Sequence, residues 1–222
     1  MFYLFGIIEL RVMTMIIDYI KATTNLYGIV SKDKVIEIYN RQNDESITMV
    51  ELENVVGEDR GEFPLKYHLG IYQNKFVSLK IDLVEHFDQI LEIQKDKPCY
   101  IPEKEELLKY VDSDYFHENK AYTEMLAFLK TVFFRKSKAE KFAKEMHRSC
   151  VSLITFHDFM AFYFDAHKNN ARLNRKGSEF LHLLTKLRYN TRVFELNGYT
   201  AEELKGVVDS SEIEQLINYD VE

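Results

Sequence analysis

The stretch from Thr23 to Gly61, TTNLYGIVSKDKVIEIYNRQNDESITMVELENVVGEDRG, decides how the first half of the chain folds. It opens inside a helical run, because Ile16, Tyr19, Ile20, Thr23, Leu26 and Tyr27 recur at the spacing that lines one helix face. Gly28 can end that helix. Ser31 can cap a second one, with Val35, Ile38 and Tyr39 on its inner face. Thr48 and Glu51 form a Thr-x-x-Glu capping box ahead of Leu52, Val55 and Val56, and Gly57 and Gly61 then break the chain. The passage reads as helix, turn, helix, turn, helix.

Beyond it the period changes. Tyr67, Leu69 and Ile71 alternate with polar or small residues. After Gln73-Asn74-Lys75, so do Val77, Leu79 and Ile81, which predicts a β-hairpin. Three helices followed by a hairpin is the element order of a winged helix-turn-helix, expected over residues 14–81. Asp82 and Glu85 are read as caps of a further helix bearing Leu83, Phe87, Ile90 and Leu91. The opening MFYLFGIIELRVMTMIIDYI is interrupted by Glu9 and Arg11, too early for a membrane span, and lacks a leader's basic start. Residues 2–10 are read as a strand or helix packed on the neighbouring domain.

KDKPCYIPEKEE (residues 95–106) holds two of the three prolines, and each disfavours helix at the residue before it. A linker is therefore placed at 96–102, between a winged-helix-like domain (1–95) and an all-helical bundle (103–222). In the bundle, Tyr122, Met125, Leu126, Leu129, Val132 and Phe133 form one stripe. Ser137 and Glu140 read as a capping box ahead of Phe142, Met146 and Cys150. Phe156, Phe159, Met160 and Tyr163 form the next stripe. A long helix is predicted from Arg175 to Leu196, with Phe180, Leu184, Leu187 and Phe194 inward. Gly198 suits its end, and Thr200–Glu203 and Ser211–Glu214 open two more capping boxes. The expected class is α+β, mostly α: a winged-helix-like N-terminal domain followed by a helical bundle.

The 222 residues are 46% hydrophobic and 29% charged, which suits one or two domains with real cores. Cys99 and Cys150 are the only cysteines, too far apart in sequence for a CxxC site, so a reducing cytoplasm is expected.

TNLYGIVSKDKVIEIYNRQN, KPCYIPEKEELLKYVDSDYF and YNTRVFELNGYTAEEL together resemble a family of uncharacterised bacterial cytoplasmic proteins. Many of these carry a C-terminal SEC-C zinc-binding tail, and some begin with a Rho-N-like helical segment. The resemblance runs from about Thr23 to Leu204 and implies architecture rather than an activity. No cysteine follows Cys150, so the zinc tail is not carried over, nor is the Rho-N-like segment.

Charge is the sharper signal. Residues 130–192 hold 14 Lys and Arg against 5 Asp and Glu, in a chain of net charge −7. Within them, KNNARLNRKG (168–177) reads as a polar loop with amides beside cations, as a phosphate-binding loop would have. Lys168, Arg172, Arg175, Lys176, Arg188 and Arg192 are the expected charge donors, with Lys186 near them. Phe162 and Phe164 are candidate stacking platforms. The expected partner is a polyanion, above all nucleic acid, or an acidic protein. Docking of acidic on basic halves, within or between chains, would make a homo-oligomer instead. No membrane contact is expected.

The winged-helix unit itself reads as a contact module, not a DNA reader. Its third helix and exit, Ile47 to Glu62, carry Glu51, Glu53, Glu58, Asp59 and Glu62 against Arg60 alone, a face that phosphate repels. The second helix, with Lys32, Lys34, Asn40, Arg41, Gln42 and Asn43, is kinder to phosphate.

Enzyme signatures are sparse. No GxSxG elbow, Walker loop, dinucleotide glycine pattern or HExxH occurs. Cys99 has no organised base, and Asp112 and Asp114 mark a turn. Glu179-x-x-His182, echoed by Asp114-x-x-His117, is short of a di-iron set, and His182 reads as a partly buried, hydrogen-bonded histidine. Arg175 and His182 also resemble the Arg-x(4–6)-His motif of HEPN ribonucleases. There the His acts as general acid or base and the Arg stabilises phosphate charge. The leading expectation is a non-enzymatic binding protein with no cofactor and no metal; the alternative is a metal-independent ribonuclease using Arg175 and His182.

Overall fold

The computed structural model describes residues 2–57, 62–81, 83, 86–152, 160–161, 163–164 and 170–205, with side chains from Leu10 onward. It is mostly helical, with one small antiparallel sheet, and divides into two compact units, Met1–Phe116 and His117–Glu222. The caps expected at Asp82, Glu85, Ser211 and Glu214 lie wholly or partly outside the described residues, as do Phe156, Phe159, Phe162 and Lys168.

The first unit begins with a single 26-residue helix, α1 (Phe2–Tyr27), so residues 2–10 continue into the helix read from Ile16 onward. Its polar core positions are satisfied locally: the buried Thr23 and Thr24 hydroxyls donate to Tyr19 O and Ile20 O, each at 2.6 Å. Gly28 stops it at φ 75°, where a side chain would be strained. A short strand, β1 (Ile29–Ser31), follows; three residues are too few to show alternation in a sequence. Ser31 Oγ then accepts from Lys34 N and opens α2 (Lys32–Gln42). The Thr48–Glu51 box closes in both directions at the start of α3 (Met49–Val56), which ends on Gly57 at φ 78°.

Tyr67, expected to open the first strand of the hairpin, instead ends a fourth helix, α4 (Glu62–Tyr67). Pro64 fits the first turn, where its missing N–H has no helical partner to lose. The rings of Phe63 and Tyr67 then lie 4.7 Å apart across one turn. The hairpin is shorter than its pattern: β2 (Leu69–Tyr72) and β3 (Lys75–Ser78) pair antiparallel with Tyr72 opposite Lys75. Gln73 and Asn74 both adopt positive φ, 46° and 60°, as a two-residue hairpin turn requires. Strand order is β1-β3-β2, with Ile29 opposite Val77. Past Ser78 the strand ends, leaving Leu79 67% exposed.

After α5 (Phe87–Gln94) comes the proline segment, which lies inside the first unit. It straps α1 and α2 through backbone carbonyls. Tyr27 Oη donates to Tyr100 O at 2.8 Å, Gln42 Nε2 to Pro102 O at 2.7 Å and Asn25 Nδ2 to Tyr110 O at 2.8 Å. The short α6 (Lys104–Leu107) and the 3₁₀ turn Leu108–Val111 deliver Leu107 and Tyr110 into the core of Ile16, Tyr19, Ile20, Val35, Ile38 and Phe76. Residues 103–116, read from the sequence as the start of the bundle, therefore complete the first unit.

The second unit is built from α7 (Lys120–Val132), α8 (Lys136–Ser152), α9 (Ala171–Arg175), α10 (Gly177–Tyr189) and α11 (Ala201–Leu204). Asn119 caps α7 through Tyr122 N. α8 starts one residue before Ser137, so the expected box is not its cap. Alanines 139 and 143 are fully buried, and the Phe128 and Phe180 rings stack with 13° between their planes. The helix read as 175–196 is two helices and a turn. Asn170 Oδ1 accepts from Arg172 N and Leu173 N, which starts α9 within the supposed loop. At the far end, Asn190 Nδ2 and Thr191 Oγ1 donate to Lys186 O and Leu187 O, taking up the last carbonyls of α10 and stopping it. A 3₁₀ turn (Phe194–Leu196) and the left-handed pair Asn197-Gly198 lead into α11, whose Thr200–Glu203 capping box forms as expected.

Candidate nucleic-acid interface

α7 ends because Phe133 turns extended (φ −98°, ψ 133°), and α8 starts three residues later. That tight connection leaves Phe134 89% exposed. Arg172 reaches it from α9, its guanidinium carbon 3.8 Å from the Phe134 ring centroid, while Arg172 NH1 donates to Val132 O at 3.5 Å. The fully buried Leu173 anchors α9 so that its neighbour Arg172 points outward. Lys138, in the first turn of α8, places Nζ 5.1 Å from the Phe133 ring. Together Phe133, Phe134, Arg135, Lys138, Asn170 and Arg172 line most of an open hollow of about 460 Å³, and among the described residues no carboxylate lines it.

The charge arrangement runs against ordinary helix chemistry. The N-terminus of a helix carries a partial positive charge and favours acidic side chains there. The first turn of α8 has none, and Arg135, Lys136 and Lys138 crowd it. Lys136 lies 3.8 Å from Glu140, but Arg135, Lys138 and Arg172 form no ion pair among the described residues. Like charges gathered at a positive pole repel one another unless an anion joins them.

The other expected donors divide. Lys176 sits beside this cluster, 3.3 Å from Thr131 Oγ1 and 3.6 Å from Glu179. Arg175 is exposed. Arg188 and Arg192 are structural: Arg188 NH1 donates to Cys150 O at 3.0 Å, and Arg192 grips Glu203 with two bonds of 2.7 and 2.9 Å and Gly198 O with a third. Lys186 pairs with Glu124 at 2.5 Å, which holds the Glu124 carboxyl below its ordinary range. Phe164 is 63% exposed, edge-on to Tyr163.

The catalytic and metal alternatives gain little geometry. Arg175 ends α9, Lys176 breaks the helix, and His182 lies on α10, so the two do not share one helix. His182 is exposed; the buried histidine is His147, edge-on to Tyr122. No group of three potential metal-binding side chains occurs among the described residues. Burial raises the Cys99 thiol and pushes Cys150 up to about 12, so neither is an activated nucleophile. Asp112 Oδ1 accepts from Asp114 N, the turn read from the sequence.

In the first unit the two lysines at the start of α2 are committed. The buried Lys32 pairs with Glu53 at 3.0 Å, and Lys34 with Glu37 at 2.6 Å. Two hydrogen bonds from Thr48 hold the Glu51 carboxylate below its ordinary range, so it stays charged on α3. Glu58, Asp59 and Arg60 lie outside the described residues.

Sequence reading passed over Phe134, Arg135 and Lys138 as individual residues. Their signal was FFRKSK (133–138), two aromatics directly followed by alternating cations at a helix boundary. No family model matches the chain, and no match was found among curated proteins or solved structures. Among the described residues, no helix is long and apolar enough to cross a membrane.

Proposed function

We propose that this chain is a non-enzymatic nucleic-acid-binding protein of the reducing cytoplasm, and that the basic helical face within residues 130–192 is its contact surface. The observation that carries the reading is the exposed Phe134 with Arg172 stacked on it, in a hollow lined, among the described residues, by three cations and no acid. Cations not already held by carboxylates are the groups that displace condensed counterions from a phosphate backbone. Arg172, Arg135 and Lys138 form the centre of the site, with Lys176 and Arg175 beside it. The compartment is supported by two free cysteines that form no disulfide.

For the first unit we propose a winged-helix-like fold used as a contact module. Support comes from the order helix, strand, helix, helix, with the short α4 added before the hairpin, and from the sheet order β1-β3-β2. Its α3 carries Glu51 and Glu53, and Lys32 and Lys34 of α2 are already paired, which argues against phosphate contact there.

The test is a titration of labelled single-stranded RNA and duplex DNA with the whole chain at several salt concentrations. Three phosphate contacts on a single strand give a slope of about −2 in log affinity against log salt. Arg172→Glu with Lys138→Glu should abolish binding without changing the far-UV circular dichroism. A gel of the same samples should show intact nucleic acid; cleavage lost in His182→Ala would replace this reading with the ribonuclease one.

A further inference from the structure

We infer that the hollow beside Phe134 receives one unpaired base of a single strand, stacked on the open face of the Phe134 ring. Arg135 and Lys138 then hold the flanking phosphates. This rests on the nucleic-acid reading above and narrows it to a class of ligand.

Phe134 is the starting point. An exposed phenylalanine forfeits the gain of burying its ring, and this one stands at 89% exposure while the half-buried Phe133 beside it packs on Phe142, 5.2 Å between ring centroids. One ring of the pair is thus packed and the other left to solvent. Arg172 covers one face of Phe134 at 3.8 Å. With most of the ring still in solvent, the opposite face is open to a planar partner. Every base offers a π-face, and aromatic platforms with cations along the backbone are the common device for unpaired strands.

The surroundings choose between ligands. A duplex keeps its bases stacked on one another and offers the ring no free face. A run of Asp and Glu would satisfy Arg135, Lys138 and Arg172 but offers Phe134 no aromatic face to stack on. A single strand satisfies both halves of the site. The hollow of about 460 Å³ falls within the range of small-molecule pockets, so a nucleotide-sized group fits.

The chain has no tryptophan, so Phe134→Trp installs a single indole as a reporter at the platform. The intact protein and its Phe134→Trp and Phe134→Ala variants would be titrated with four probes at low salt. These are a twelve-nucleotide single strand, an abasic strand of equal length, the corresponding duplex and poly-glutamate. The single strand should quench the indole and the abasic strand should not. Phe134→Ala should weaken the single strand about tenfold and leave the abasic strand unchanged, with matching circular dichroism for all three proteins. Equal affinity for single and abasic strands, untouched by Phe134→Ala, would overturn base stacking and leave the phosphate contacts standing. Tighter binding of the duplex or of poly-glutamate than of the single strand would overturn the ligand class. Binding of none of the nucleic acids would overturn the nucleic-acid reading itself.

Discussion

Replacing Glu195 with Gln should stabilise the protein above neutral pH and leave it nearly unchanged in mild acid. Glu195 lies in the 3₁₀ turn Phe194–Leu196, 5% exposed, and neither carboxylate oxygen has a hydrogen-bond partner among the described residues. Burial pushes its carboxyl from an ordinary 4.5 up to about 7, against the opposing pull of the Arg188 guanidinium. Arg188 is itself held by Cys150 O, so it offsets the burial only in part. Because the folded pKa is raised, the folded state keeps a proton that the unfolded chain has lost between pH 4.5 and about 7. Stability therefore falls as pH rises through that window and levels off above it. The gap corresponds to about 3 kcal/mol, a large share of the ~5–15 kcal/mol typical of a domain. Glutamine keeps the shape without the ionisation. Urea unfolding followed by far-UV circular dichroism, the chain having no tryptophan, would be run on both proteins below the window and above it. The wild type should lose stability between the two conditions and Glu195→Gln should not. A wild type with no loss across the window, or a variant that parallels it, would refute the account of Glu195 as a buried, unsatisfied carboxyl.

Two smaller perturbations test how the helices are closed. Thr48→Ala removes the side-chain half of the α3 capping box, leaving the backbone N–H of residue 48 on Glu51, and should lower stability by about 1 kcal/mol; an unchanged urea midpoint would show that α3 does not depend on the Thr48 hydroxyl. Arg192 and Glu203 make a two-pronged ion pair, with the Arg side chain 16% and the Glu side chain 41% exposed. A double-mutant cycle of Arg192→Met and Glu203→Gln should give a coupling of about 1 kcal/mol. It should also leave nucleic-acid affinity unchanged, since Arg192 is committed within the fold.

Local signals in the sequence were legible where a short-range rule fixes the backbone. Ser31, Thr48 and Thr200 cap the helices they were read to cap, Gly28 ends α1, and Gln73-Asn74 turns the hairpin. What failed were readings that depend on partners far along the chain. Pro98 and Pro102 look like linker punctuation, yet Tyr27 and Gln42, some 60 to 73 residues earlier, hydrogen-bond the carbonyls of that segment. Strand β1 exists because β3 offers an edge to it, and its three residues carry no pattern of their own. The helix expected across 175–196 breaks at Lys176, where Gly177 begins the next helix, and stops at Asn190 and Thr191, whose side chains bond the carbonyls that a continuing helix would use.

Charge counting marks a stretch of chain without separating the residues in it, and the reason is physical. A sequence weighs Arg172, Arg188 and Arg192 equally, whereas an arginine contributes to binding only if its donors are not already committed. Arg188 and Arg192 are half-buried, the first tied to Cys150 O at 3.0 Å and the second to a carboxylate and a carbonyl, while Arg172 gives Val132 O only a long 3.5 Å bond and is exposed, lying over an exposed ring. Net charge misleads in the same way. A chain of −7 seems a poor match for phosphate. Yet at physiological ionic strength charges are screened beyond about 8 Å, so carboxylates farther than that from the hollow barely enter the balance. What a phosphate meets at close range is the local set: Arg135, Lys138 and Arg172, with no acid among the described residues lining the hollow they share.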